Sequence, residues 1–230
     1  MLEADGVTLT YGASVAVRDV SLALAPGSRT ALMGPSGSGK SSLLYCLAGV
    51  LVPDHGRVLL DGQDLTGLSD RERSRLRLEQ LGVVFQFGDL VPELTIAENV
   101  MLPLQLLGTK RAAARARALE LLGELGIADV ADSRTGAVSG GQAQRAAVAR
   151  ALVHEPRVVL ADEPTGSLDT VNAEAVLDAM VALSGRIGAT LLVVTHDNLV
   201  ASHLDDLVLM RDGAIDSAVQ ATGPRREVVG

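Results

Sequence analysis

An α/β fold is predicted by three features of the sequence. Eight runs, "GVTLTYG", "VSLALAPG", "RTALMG", "RVLLDG", "GVVFQ", "RVVLADE", "TLLVVTH" and "DLVLMRDG", are strand-sized, and most have glycine or charge at an end. Several are apolar throughout instead of alternating, as strands covered on both faces are. Between "GVVFQ" and "RVVLADE" the strand patterns stop, and helical ones such as "TIAENVMLPLQLL" and "KRAAARARALELLGEL" take over. The stretch 88–155 is therefore expected to be a helical subdomain inserted in the core of one domain spanning 1–222. Residues 223–230 are expected to be a short tail.

After the strand "RTALM" comes "GPSGSGKSS", followed by the apparent helix "SSLLYCLAG". Gly34, Gly39, Lys40 and Ser41 satisfy G-x-x-x-x-G-K-[ST], and strand, loop and helix occur in the order a phosphate-binding loop requires. Gly34, Gly37 and Gly39 permit a tight turn. Pro35, Ser36, Ser38 and Ser42 complete a loop whose amides, with the helix N-terminus, suit a polyphosphate. Of twenty basic residues only Lys40 and Lys110 are lysine. A chain that otherwise uses arginine thus has a compact ammonium where β- and γ-phosphates would lie. Ser41 is placed to ligate Mg²⁺.

The run "RVVLADEP" brings Asp162 and Glu163 to a strand end, where open α/β sheets bind ligands. Asp162 suits the Mg²⁺ shell, and Glu163 suits polarising a water for attack on a γ-phosphate. Gln86 ends "GVVFQ" and His196 follows "LLVVT", so both are expected at the same sheet edge. Gln86 offers a neutral amide to bridge metal, water and the adjoining segment.

Composition bounds the partners. With 47% hydrophobic and 21% charged residues in 230, the chain is expected to be globular. A net charge of −8 argues against a nucleic-acid partner. No apolar run is long enough for a membrane span. The start, "MLEADGVTLTYG", lacks a basic and an apolar region, so no secretory signal is expected and the cytoplasm is the expected compartment. Cys46 is the single cysteine, and a buried apolar role is expected for it. In "SDRERSRLRLEQ" the arginines 71, 73, 75 and 77 spread over more than one helical face; a solvated surface is the default reading, and contact with lipid headgroups the alternative.

One further stretch, "VSGGQAQR" at 138–145, places two glycines before an alanine-rich helical run. A serine N-cap accounts for Ser139 but poorly for two residues that weaken a helix. With it, the chain resembles the nucleotide-binding ATPase subunits of ABC transporters. The ordered residues that carry the resemblance are Tyr11, "GPSGSGKS", Gln86, "VSGGQAQR", "VVLADEP", "SLD" at Ser167 to Asp169, and His196. It departs from the family at Val138, where leucine is usual, and at Ala143, where a polar residue is common.

The resemblance implies a P-loop NTPase (RecA-like) core with an N-terminal antiparallel β region and the inserted helical subdomain. ATP and Mg²⁺ are the implied ligands, with catalytic roles for Glu163, His196, Gln86 and Lys40 and metal contacts from Ser41, Gln86 and Asp162. Tyr11 would stack on adenine. Ser139, Gly140, Gly141, Gln142 and Asp169 would complete the nucleotide site across a head-to-tail dimer, with a homodimer favoured over a heterodimer.

"FQFGDLVPELTIAENVMLPLQLLG" and "ADEPTGSLD" look most like the branch of lipoprotein-releasing, macrolide-export and cell-division ATPases. That branch implies a separate membrane permease subunit, peripheral attachment to the inner face of the cell membrane, and a groove for the partner that includes Leu90, Pro92 and the helix after Thr95. Two functions remain open at this point: energising export or extraction of a hydrophobic substrate, and a switch without transport, in cell division or iron–sulfur assembly.

Overall fold

The computed structural model describes residues 1–86, 89–166, 168 and 170–220. The expected tail and Asp169 lie outside them. Two sheets form the framework. The first is antiparallel, with β1 (Leu2–Tyr11), β2 (Ser14–Leu24), β4 (His55–Leu60) and β5 (Gln63–Asp64) in the order β2-β1-β4-β5. The second holds β3 (Arg29–Met33), β6 (Leu81–Val84), β7 (Val158–Asp162), β8 (Thr190–Thr195), β9 (Asp206–Arg211) and β10 (Ala214–Gln220). Its order is β10-β9-β3-β8-β7-β6, parallel except for the β9–β10 hairpin. Parallel pairing sends the carboxyl ends of β3, β6, β7 and β8 to one edge.

Every residue of β7 and β8 is buried. The cause is two cores, one on each face. Val158, Leu160, Leu192 and Val194 pack in one, while Val159, Ala161, Leu191 and Val193 pack in the other. Successive strand side chains point to opposite faces, so a strand between two cores needs an unbroken apolar run. The first core joins this face to the antiparallel sheet through α1 (Lys40–Leu47), whose Leu43, Leu44, Cys46 and Leu47 are buried. Cys46 therefore has the apolar role expected of it.

The second core lies under α3 (Ile96–Leu106), α4 (Arg111–Glu124), α5 (Gly140–Leu152) and α6 (Thr170–Arg186). Capping boxes start two of these: Thr95 with Glu98 on α3, and Ser139 with Gln142 on α5. The loop before α3 is pinned by Asn99, fully buried, whose amide accepts from Val91 N (2.7 Å) and donates to Val91 O (3.1 Å). Ile96, Ala97, Val100 and Met101 face the core and Leu90 packs against it, whereas Pro92, Leu106 and Leu107 are exposed.

The helix α2 (Asp70–Gln80) corrects one expectation. Arg71 and Arg75 are on the surface, but the Arg73 side chain is only 12% exposed and donates to Leu68 O, and Arg77 donates to Gly49 O. Gly49 O lies just past the end of α1 and Leu68 O just before α2, and the long guanidinium arms supply a donor to each.

Because Leu192 is fully buried in the centre of β8, Leu192→Ala should cost about 2–5 kcal/mol, read as a lowered urea midpoint at unchanged slope.

Candidate functional site

The loop from Gly34 to Gly39 emerges from β3 and is confined by backbone on both sides. A Cβ on Gly34 would lie 2.0 Å from Met210 O, and one on Gly39, where φ is +98°, 2.0 Å from Ala16 O. Only a residue without a side chain fits either position. The β9–β10 turn holds the loop further, through Gly213 N to Ser38 O (3.1 Å). Helix α1 then begins with no side-chain cap, unlike α3 and α5, and with no acid in its first turn, unlike α3. Its leading N–H groups are thus left for an anion. Lys40, 5% exposed, donates from Nζ to Gly34 O and Pro35 O, both at 2.8 Å. An ammonium has three donors, so one remains for a phosphate oxygen.

Asp162 ends β7 and is 4% exposed. Burial pushes its carboxyl above the ordinary range, and hydrogen bonds from Ser41 and Tyr45 oppose that shift. Ser41 Oγ donates to Oδ1 (2.9 Å) and Tyr45 OH to Oδ2 (3.0 Å). With its proton given to Asp162, Ser41 keeps its lone pairs for a cation. Tyr45 escaped the sequence reading, although its spacing of four from Ser41 on one helix puts both hydroxyls on one face. Burial, then the charge of Asp162, push the Tyr45 phenol up to about 12, so it stays a donor.

Glu163 has φ +43°, a conformation rarely tolerated by a residue with a Cβ, and its N–H is tied to Val194 O (2.9 Å). The turn this produces aims its carboxylate, 22% exposed, at His196, whose Nδ1 lies 3.2 Å from Oε1. His196 follows β8 and Gln86 follows β6, as expected from the sheet edge. Together with Ala16, Ser36, Gly37, Gly39, Lys40, Ser41 and Ser42, the three residues Gln86, Glu163 and His196 line one cleft of about 520 Å³. Tyr11 ends β1, 54% exposed, with its OH 3.5 Å from Ser42 Oγ at the cleft's margin.

Ser139, Gly140, Gly141 and Gln142 do not line this cleft. They form the start of α5, where Ser139 Oγ accepts from Gln142 N (3.2 Å) and Gln142 Oε1 from Ser139 N (2.9 Å). A Cβ on Gly141 would meet Asn172 at 3.3 Å, but one on Gly140 would meet nothing within 4 Å. Packing inside the chain therefore explains one bare position and not the other. Arg145 anchors the helix start by donating to Asn172 Oδ1 (2.7 Å), a contact sequence reasoning missed. No local pattern links residues 145 and 172.

A family model described as ABC transporter matches residues 17–166. The chain is 42% identical over 199 residues to the lipoprotein-releasing system ATP-binding protein LolD of Legionella pneumophila (strain Paris), covering 86% of this chain and 88% of that one. It is 40% identical over 215 residues to the protein of the same name from Bacteroides thetaiotaomicron, covering 94% and 99%. Among solved structures it is similar to the dimeric ATP-binding cassette MJ0796 in a post-hydrolysis state bound to ADP and Pi. That likeness has a TM-score of 0.92 at 35% identity and covers 97% of this chain and 100% of the other.

Gly39→Ala should disrupt the loop on two counts, strained φ and collision with Ala16 O. A loss of about 2 kcal/mol or more in urea unfolding is expected, together with weakened binding of a fluorescent ATP analogue. Parental values for both would mean that the loop takes another path.

Proposed function

The chain belongs to the ABC transporter family, and from that premise we propose that it is the ATP-hydrolysing subunit of a membrane transporter, working as a head-to-tail dimer. The observation that carries this is the division of the site. Lys40, Ser41, Gln86, Glu163 and His196 share one cleft, while the glycines of the α5 N-terminus do not line it. N–H groups in a helix's first turn have no intrahelical partner, and Gly140 leaves them unobstructed. Two chains arranged head to tail would each present this N-terminus to the γ-phosphate held by the other. ATP then binds the two together, and its hydrolysis releases them.

The donor set fits Mg²⁺. Ser41 Oγ, the Asp162 carboxylate and the Gln86 amide oxygen are hard ligands, and among the described residues no group of three His, Cys, Asp or Glu exists to hold a metal by itself. A cation held here would complete its shell with phosphate oxygens and water, as Mg²⁺ does. When bound it would supply charge neutralisation to the β- and γ-phosphates. Lys40 would contact the same phosphates, and Glu163, oriented by its turn and by His196, would take the proton of the attacking water. Tyr11 would stack on the adenine, and Asp169 would act across the dimer.

Among the described residues no helix is long and apolar enough to cross a membrane. The chain would reach the inner face of the membrane through a permease subunit seated near Pro92 and the exposed end of α3. The similarity to lipoprotein-releasing ATP-binding proteins favours extraction or export of a hydrophobic or lipid-anchored substrate over a switch without transport. A homodimer is the simplest assembly, since one chain carries both halves of the site.

Glu163→Gln keeps the shape of the side chain and removes the base. It should bind ATP normally, release phosphate about 10²-fold or more slowly, and accumulate as an ATP-bound dimer in gel filtration. Phosphate release near the parental rate would show that Glu163 is not the base.

A further inference from the structure

Asp162 accepts one hydroxyl on each oxygen, and the two donors differ in what they can do next. Ser41 Oγ faces the cleft and has lone pairs to offer a cation. Tyr45 lies on the far side of the carboxylate, one helical turn further along α1, and does not line the cleft. Its ring sits beside Phe85, with centroids 6.1 Å apart and planes at 52°, within the range of favourable aromatic pairs. Phe85 immediately precedes Gln86 and is held from its other side by Gln144, whose Nε2 donates to Phe85 O (3.4 Å). In a chain with only two tyrosines and two phenylalanines, one of each meets behind the carboxylate. No other aromatic pair occurs among the described residues.

We infer that Tyr45 is a positioning residue for the metal site, its hydroxyl fixing the Asp162 carboxylate and its ring fixing the Phe85–Gln86 segment. The inference rests on the assignment of Ser41, Asp162 and Gln86 to Mg²⁺ proposed above. The physical case has two parts. A carboxylate with one oxygen anchored cannot rotate about its terminal bond without breaking a charge-assisted hydrogen bond, so its other oxygen stays aligned with Ser41 and the cation's shell. A ring wedged between α1 and the end of β6 also holds Gln86 in register with Asp162, although the two sit on different strands. Both groups flanking the cation are thereby set by one side chain outside the cleft.

The test is a Mg²⁺ titration of nucleotide binding by the full chain, with a fluorescent ATP analogue as probe and EDTA as the metal-free reference. Tyr45→Phe keeps the ring against Phe85 and removes the hydroxyl. It should raise the Mg²⁺ concentration for half-maximal enhancement of binding about 10-fold, the scale of a lost hydrogen bond to a charged group. Binding in EDTA should change little, while the thermal midpoint falls with the loss of one partner to the buried carboxylate.

Parental Mg²⁺ dependence in Tyr45→Phe would overturn the inference. So would a fall in EDTA binding and thermal midpoint with no Mg²⁺ shift, since that pattern marks a purely structural role. Asp162→Asn separates the two levels. If it shifts the Mg²⁺ titration and Tyr45→Phe does not, the inference about Tyr45 fails alone. If the parental chain shows no Mg²⁺-dependent binding, the assignment of the metal site fails and takes the inference with it.

Discussion

The hydrogen bond from Ser41 Oγ to Asp162 Oδ1, 2.9 Å long, joins the helix that follows the glycine loop to the strand that ends one residue before the candidate base. The rest of the site depends on that junction. It forms because two cores bury β7 and β8 completely and carry Asp162, Glu163 and His196 to the same sheet edge as the loop after β3. Burial disfavours the charged carboxylate, so Asp162 would be costly without partners. Ser41 and Tyr45 offset that cost, and their contacts also set the direction in which Ser41 can offer its lone pairs.

Much of this was legible in the sequence, for reasons that differ by element. The strands β7 and β8 could be read because being covered on both faces demands continuous apolar residues. The phosphate loop could be read because glycine spacing, lysine choice and the strand–loop–helix order are all local. The turns at Gln86 and His196 followed from the rule that ligands bind beyond the carboxyl ends of parallel strands. The antiparallel hairpin strand β10 and the two-residue β5 were not anticipated, since pairing with a neighbour defines them more than any pattern of their own.

What stayed hidden was set by contacts between distant segments. Arg73 and Arg77 looked like surface charge, yet they satisfy carbonyls at Leu68 and Gly49. Tyr45 looked like one more large residue on a buried helix, yet it donates to a carboxylate 117 positions away. The Arg145–Asn172 contact and the confinement of Gly34 and Gly39 by Met210 and Ala16 likewise need the assembled fold. Tyr11 occupies the margin of the cleft, a position compatible with stacking on a base.

One glycine of "VSGGQAQR" is not explained by packing within the single chain. Gly141 is crowded by Asn172, but Gly140 borders open space, so the fold by itself does not account for both. The proposed binding surface for a phosphate carried by another subunit would. The most direct test mixes two inactive chains. Lys40→Ala removes the ammonium proposed to bind phosphate but keeps the α5 N-terminus, whereas Gly140→Asp keeps the ammonium and sets a carboxylate in the open space before the helix, where the incoming phosphate would lie. Neither variant alone should hydrolyse ATP. A site shared between chains predicts that mixing them restores part of the parental phosphate release, because one of the two sites in the mixed dimer is intact. No gain on mixing, with dimer formation between the two variants verified, would contradict a site completed in trans.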